Sequence, residues 1–269
     1  IVLLEELDLK YDVKQINLSK GEQKSKEFLE LQPFGKVPVV KYDDRVLFES
    51  RSILRYIAKN NTENNDLYGG TDVDIWLEVE SQNYNPPVSK IVYEKVFKKW
   101  KGERPDMDVV ESSVKELESV LDVYEKRLET VPYIAGDEFS IADISHIPYT
   151  NLLLKCGYKD LFKKRPNVYK WLKRIIKRDS VQYVINQSPD VEEQEVDERR
   201  EEEKRERGDE KDLSKRIDKL VLNENAKDKG ALREPGEITT SVIPASIIWR
   251  TTTRASDVEI FTSAAPRFS

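Results

Sequence analysis

The residues with the clearest chemical potential lie in one short stretch, Pro33 to Ser50. At Val37-Pro38 a proline enters an apolar, β-branched run, where strands tolerate it only as a first residue, at an edge or in a special turn. If this bond is cis, the backbone N–H and C=O of Val37 point outward and can pair with an extended ligand. Ser50 opens a helical pattern, and the free N–H groups of a helix start bind carboxylates. The stretch therefore predicts a backbone clamp and an anion site for a small peptide.

A predicted hairpin and two predicted helices would position these groups. The apolar run after Val37 turns at Asp43-Asp44 and returns as residues 45–48, which indicates a β-hairpin. Ser50 has a side chain typical of an N-cap and begins the following helix, while residues 24–31 predict a short helix before the hairpin. The clamp and the anion site thus lie at the two ends of one hairpin.

Three motifs in this region resemble those of glutathione S-transferases, and of the plant phi class in particular. They are GEQKS from Gly21, PFGKVP from Pro33, and a glutamate-serine pair before a helix, at Glu49-Ser50 with Ile53, Arg55 and Tyr56 following. The resemblance continues to about residue 180. Two residues depart from the phi pattern, since Gln23 stands at a usual histidine and Gln32 at a usual asparagine. Gln23 still donates a hydrogen bond, so we expect weaker binding and not its loss.

The resemblance implies a site for glutathione as co-substrate. This tripeptide needs cations or amides at its glycine carboxylate, a backbone partner for its cysteine, and an anion-binding helix start with a carboxylate at its γ-glutamyl end. The six residues at the matching positions are Gln23, Lys24 and Lys36 for the glycine end, Val37 for the cysteine backbone, and Glu49 and Ser50 for the γ-glutamyl end. Taken singly, a lysine is usually a solvated charge and a serine there a simple helix cap.

The resemblance also implies an activity, namely conjugation of glutathione thiolate to a small hydrophobic electrophile in detoxification and stress response, by a homodimer. In phi enzymes a serine hydroxyl activates the thiol, and it lies in the loop after a first, central strand. The sequence starts at Ile1, within the first helix, so we assign no catalytic residue. We expect a fragment of a full-length transferase; a shortened, non-catalytic ligand carrier or interaction module is the alternative. A third reading, the gamma subunit of translation elongation factor 1, fits the later residues less well.

Composition argues against several other classes of function. The 269 residues carry a net charge of −6 and a pI near 5.3, so no basic excess favours nucleic acid or an anionic membrane. The single cysteine, Cys156, excludes an intrachain disulfide and fits a cytoplasmic protein. No cluster has the spacing of metal ligands, and no run predicts a membrane span.

We predict four regions. Residues 1–60 form a truncated α/β thioredoxin-like domain that binds glutathione, 61–70 a linker rich in Asn, Asp and Gly, and 71–186 an all-helical bundle domain. Residues 187–269 form a charged, low-complexity extension that we expect to be disordered.

Within the helical domain, an apolar stripe predicts a long helix over Asp108 to Leu128. Ser140 and Asp143 predict a capping box, worth about 1 kcal/mol or more. His146, the only histidine, and Cys156 are interpreted as packing residues. Tyr84 and Ile91 line the electrophile pocket in one reading and pack in the core in the other.

Overall fold

A computed structural model of the chain describes residues 1–18, 20–63, 66–186 and 258–262. The first part of the chain alternates helices and strands, as the thioredoxin-like assignment predicts. Its elements are α1 (Val2–Glu6), β1 (Asp12–Gln15), a 3₁₀ turn (Glu22–Lys24), α2 (Lys26–Leu31), β2 (Val39–Tyr42), β3 (Arg45–Phe48) and α3 (Ser50–Lys59).

Helices are the only regular secondary structure among the described residues from 71 to 186. They are α4 (Thr71–Val79), α5 (Asn85–Val92), α6 (Lys98–Trp100), α7 (Met107–Arg127), α8 (Ile141–Lys155), α9 (Lys159–Lys163), α10 (Pro166–Ile176) and α11 (Asp179–Asn186). Two π-helical segments, Glu80–Tyr84 and Tyr93–Phe97, join α4, α5 and α6 into one helical run. The first of them ends two residues before Pro86. Pro86 and Pro87 lack the backbone N–H donors that continue the helical hydrogen bonds.

The sheet contains a fourth strand, β4 (Val258–Thr262), which lies between β1 and β2. It runs parallel to β1, with Val13 opposite Ile260, and antiparallel to β2, with Val40 opposite Ile260. The order is β1-β4-β2-β3, so the last described segment of the chain occupies an inner position of the N-terminal sheet.

Side chains of β4 are buried on both faces of the sheet. Val258 and Ile260 belong to the main core together with residues of α1 and α3. Phe261 lies in a second apolar cluster with Phe28 of α2 and Val39 of β2. The prediction that residues 187–269 are disordered was therefore wrong for 258–262, because this segment buries apolar side chains that the charged stretch before it lacks. Residues 187–257 and 263–269 lie outside the described part of the chain.

The long predicted helix is α7, Met107–Arg127, close to the predicted 108–128. Asp106 caps it, since its carboxylate accepts from the backbone N–H of Asp108 and Val109. The buried residues of the stripe are Val110, Leu117, Leu121 and Tyr124, and α7 packs against α5 and α10. The bundle interpretation of this stripe agrees with these contacts.

The predicted capping box at the start of α8 is present, and Asp143 does more than cap the helix. Its fully buried carboxylate accepts from the N–H groups of Ser140 and Ile134, at 3.0 Å each, and from Trp171 Nε1 at 2.7 Å. Burial raises the pKa of Asp143, while these donors favour the ionised form. The residue thus ties α8 to the preceding loop and to α10.

Candidate functional site

The Val37-Pro38 peptide bond is cis, as the clamp hypothesis requires. Hairpin register pairs Val39 with Phe48, so Pro38 and Glu49 are the next residues on the two adjacent strands. Neither the N–H nor the C=O of Val37 pairs with another backbone group among the residues that the structure describes. The two chain ends of the hairpin therefore meet at one edge, with an unpaired backbone segment beside the start of α3.

Ser50 is the first residue of α3, and the prediction that it is the N-cap was wrong. Glu49 holds that position, with φ 66° and ψ 108°, and no side chain accepts a hydrogen bond at the cap. A positive φ is unfavourable for a residue with a Cβ, and such strain concentrates at functional sites. The N–H groups of the first turn lack a side-chain acceptor, and they remain available to a carboxylate.

The loop of Pro33 to Lys36 lies against the segment that contains Gln23 and Lys24. Lys24 Nζ donates to Phe34 O at 2.8 Å. Gly35 has φ 59°, and a Cβ there would lie 2.5 Å from Gln23 O, so only glycine allows this approach. Gln23 Oε1 is buried without a hydrogen-bond partner, which leaves one amide oxygen of this residue unsatisfied.

The six predicted site residues thus fall into two groups. Val37, Glu49 and Ser50 share the edge where the hairpin ends meet. Gln23 and Lys24 lie under the loop that leads to Val37, and Lys36 is exposed on that loop. The geometry is compatible with the proposed ligand contacts, and the binding role of each residue stays a prediction.

Sequence reasoning missed the contribution of β4 to this edge. Val39 is paired with Phe261, so Thr262 is the next residue beside Pro38. Thr262 O also accepts from Ile16 N at 2.9 Å, which extends the pairing with β1. The chain therefore leaves β4 next to the cis-proline, and the residue bonded to Thr262 is Ser263.

Charged side chains connect the start of α3 to the helical domain. Arg51 Nε donates to Glu80 Oε2 at 2.5 Å, and Glu80 is 2% exposed. Burial raises the pKa of Glu80, and the Arg51 guanidinium opposes that shift. One turn later, Arg55 binds Asp74 and Glu78 of α4 at 2.7 and 2.6 Å. Ser50 is thus covalently next to a residue that is anchored across the domain boundary.

A buried aromatic cluster surrounds His146 in the helical domain. The Nδ1 donates to Ala142 O at 2.7 Å, because a carbonyl only accepts, and Nε2 therefore accepts from Tyr124 at 3.0 Å. The rings of Tyr84 and Trp171 contact the imidazole. Burial lowers the pKa of His146 to about 3. His146 is a packing residue, as predicted.

Tyr84 and Ile91 are fully buried, so the core-packing reading holds for both and the pocket-lining reading was wrong. Cys156 is half-buried against the same core, and burial raises the pKa of its thiol.

Within residues 1–18, 20–63, 66–186 and 258–262, no group of three acidic, His or Cys residues is arranged to hold a metal ion. None of the helices in that same part of the chain is both long and apolar enough to cross a membrane.

Comparison with known families identifies both halves of the described chain. The model of the glutathione S-transferase N-terminal domain matches residues 1–59, and that of the glutathione S-transferase C-terminal domain matches residues 86–179. A glutathione S-transferase F13 of Arabidopsis thaliana is 36% identical over 185 residues, which are 66% of this chain and 84% of the relative. The F10 protein of the same plant is 40% identical, over 66% of this chain and 86% of the relative.

Solved structures give the same picture. The glutathione transferase F7 of Populus trichocarpa superposes with a TM-score of 0.66 at 35% identity, covering 69% of this chain and 90% of that one. A maize glutathione S-transferase I, solved with an atrazine glutathione conjugate, has a TM-score of 0.64 at 35% identity and covers 69% and 89% of the two chains.

Proposed function

This chain belongs to the glutathione S-transferase family, in its plant phi class, and from that premise we propose which of its residues bind glutathione. The enzyme conjugates glutathione to electrophiles. Val37 pairs through its backbone with the cysteine of the tripeptide, because its N–H and C=O are unpaired beside a cis-proline. Ser50 and the first turn of α3 hold the γ-glutamyl carboxylate. Glu49 meets the γ-glutamyl ammonium, and its strained backbone fits that role.

The glycine end of glutathione lies on the other side of Val37 in this proposal. Lys24, whose ammonium already contacts the Phe34 carbonyl, and Lys36 neutralise the glycine carboxylate. Gln23 adds an amide donor. Support comes chiefly from one observation, that the unpaired backbone of Val37 and the uncapped start of α3 meet at one edge.

The activating hydroxyl of the family's mechanism is not assigned to a residue in this proposal. The family resemblance puts it in the loop that follows the central strand, and β4 fills an inner place in the sheet. A hydroxyl that donates to the thiolate lowers the thiol pKa and so raises the fraction of nucleophile. The alternative, a non-catalytic ligand carrier or interaction module, rests on the absence of the catalytic serine segment from the sequence.

The electrophile and the assembly state complete the proposal. We assign a small hydrophobic electrophile and a homodimer, the latter through the outer face of α4. There Ile75 is 51% exposed and borders a groove of about 470 Å³ with Gln82 and Asn83. Contact with a second copy would remove this apolar side chain from water. Light scattering of the Ile75→Asp variant tests this surface, because a charge there should shift the protein toward monomer.

Retention on immobilised glutathione tests the binding site. We expect the protein to be retained and the Glu49→Ala/Ser50→Ala double variant to pass through. Ser52→Ala, an exposed serine in the same helical turn, is the matched control and should be retained like the parent. Circular dichroism of all three proteins checks that the helices are intact. Equal retention of parent and double variant would overturn the site assignment.

A further inference from the structure

The helical domain contains a pocket with aromatic walls and a volume of about 300 Å³, at the lower end of the range of small-molecule sites. Tyr93 and Phe97 line it from the second π-helical segment, and Tyr149 lines it from α8. The rings of Tyr93 and Phe97 lie at 67° to each other, with centroids 6.4 Å apart. Because aromatic rings attract one another edge to face, these walls suit a ligand with an aromatic ring.

The pocket lies near the start of α3. Helix α8, which carries Tyr149, packs against α3. Burial raises the pKa of Tyr149, and the charges of Arg51 and Glu80 also act on it. Arg51 follows Ser50 in the chain, so the pocket is close to the residues that we propose for the γ-glutamyl end of glutathione. A compound in this pocket therefore lies near the bound tripeptide.

Two ammonium groups lie at or beside this pocket. Lys101 Nζ is 5.2 Å from the centre of the Tyr93 ring and 3.4 Å from its hydroxyl oxygen. In the described part of the chain, this lysine forms no ion pair with a carboxylate. Lys90 lines the pocket and lies 3.4 Å from Glu116, but both side chains are about half exposed, so this pair is weak. Both ammonium groups can therefore pair with an anionic ligand.

The carboxylate that lines the same pocket, that of Glu94, is already neutralised. It accepts from Lys98 Nζ at 2.7 Å and from the backbone N–H of Asp106 at 2.7 Å. These donors stabilise the ionised form and lower the pKa of Glu94. Because Lys98 compensates the charge of Glu94, Lys90 and Lys101 leave the pocket with an excess of positive charge.

We propose that this pocket selects aromatic electrophiles that carry a carboxylate. The ring packs against Tyr93, Phe97 and Tyr149, while the carboxylate pairs with the ammonium groups of Lys90 and Lys101. This substrate class rests on the proposed function, because the conjugation of glutathione is what makes the occupant an electrophile. Lys90 and Lys101 are the residues that determine the specificity for charge.

Binding of two matched compounds tests the charge preference in the absence of glutathione. The probes are 3-nitrobenzoate and its neutral amide, 3-nitrobenzamide, which have the same ring and differ in charge. Isothermal titration calorimetry with the full-length protein measures both dissociation constants. We expect 3-nitrobenzoate to bind about 5-fold more tightly, as two exposed ion pairs allow. This preference should decrease as the NaCl concentration rises from about 20 mM to about 500 mM, because salt screens exposed charges.

The Lys90→Gln/Lys101→Gln variant should bind the two compounds equally, and the Lys90→Arg/Lys101→Arg variant should keep the preference. Both positions are exposed, so the substitutions preserve the core. The matched control is Lys126→Gln, which removes an exposed lysine about 25 Å along α7 from Val109, a residue that lines the pocket. This control should bind like the parent. Tyr93→Leu should weaken the binding of both compounds alike, because it removes a wall of the pocket and no charge.

Equal affinity of the parent for the two compounds would overturn the proposal, as would a preference that survives in the glutamine variant or an absence of binding. Retention on immobilised glutathione is measured on the same samples. A parent that is retained but shows no charge preference refutes the substrate class alone. A parent that shows the preference but is not retained refutes the glutathione site and supports the carboxylate pocket.

Discussion

Arg51 donates its Nε hydrogen to Glu80 across the boundary between the sheet domain and the helices, at 2.5 Å. The buried carboxylate of Glu80 therefore binds a residue in the first turn of α3. The side chains are 22% and 3% exposed. Removal of one partner leaves the other charge poorly solvated, which costs more than the pair itself contributes.

Glu80→Ala should lower the free energy of unfolding by about 3 kcal/mol. It should also weaken retention on glutathione, because Arg51 is bonded to Ser50 in the chain and would lose its anchor. Glu78→Ala is the control, since Glu78 is 58% exposed and its pairing with Arg55 should be worth less than about 1 kcal/mol. Urea unfolding of both variants measures the difference, and equal losses would refute the role given to burial.

Asp143→Ala should cost about 3 kcal/mol or more, beyond the cap alone, because three buried N–H donors lose their acceptor. Asp108→Ala removes an exposed acidic side chain from the first turn of α7 and should lower the free energy of unfolding by less than about 1 kcal/mol. Thermal unfolding compares the two. A similar small effect in both variants would show that Asp143 acts only as a helix cap.

His146 should make the protein less stable as the pH falls below about 6.5. Burial lowers its folded-state pKa to about 3, whereas the unfolded value is near the ordinary 6.5. Between these values the unfolded chain binds the extra proton, so the stability falls with decreasing pH, with a slope that approaches about 1.4 kcal/mol per pH unit.

Unfolding is measured from pH 7 to 5.5 for the parent and for a His146→Gln variant, and the difference between the two isolates this contribution. The His146→Gln variant has no titrating ring, so its stability should change less over the same interval, although it should be lower throughout because of altered packing. Identical pH dependence in parent and variant would contradict the assignment of a neutral, buried imidazole.

The hairpin and the caps were predictable from the sequence because their signals are local. Proline at Val37-Pro38 restricts the strand entry, and the turn at Asp43-Asp44 uses an aspartate with φ 48°, a conformation that this residue type tolerates. The capping box needs only Ser140 and Asp143, three residues apart. In contrast, the predicted N-cap, Ser50, differs by one residue from the observed N-cap, Glu49. The positive φ of Glu49 leaves no signal in the sequence that could have shown this.

The strand β4 was not predictable, since its partners lie more than 200 residues earlier in the chain. Alternation of Val258 and Ile260 is compatible with a strand. A five-residue pattern does not, however, indicate which other strands this strand will pair with. The same limit applies to Arg51 and Glu80, whose pairing depends on how α3 and α4 pack. Local propensity therefore identified the elements, and the long-range contacts that complete the site came only with the structure.

The place of β4 in the sheet also sets an order of events during translation. At about 5 to 20 residues per second, the ribosome needs roughly 10 to 40 s to proceed from Tyr42 to Val258. The residues of the helices between 71 and 186 are synthesised well before then. In contrast, the facing edges of β1 and β2 have no partner until β4, which lies between them, is synthesised. The nascent protein thus carries two unpaired strand edges and the apolar side chains of Val39 and Val40 until a late stage. Such a surface is what chaperones bind, so the yield of active enzyme should depend on their supply.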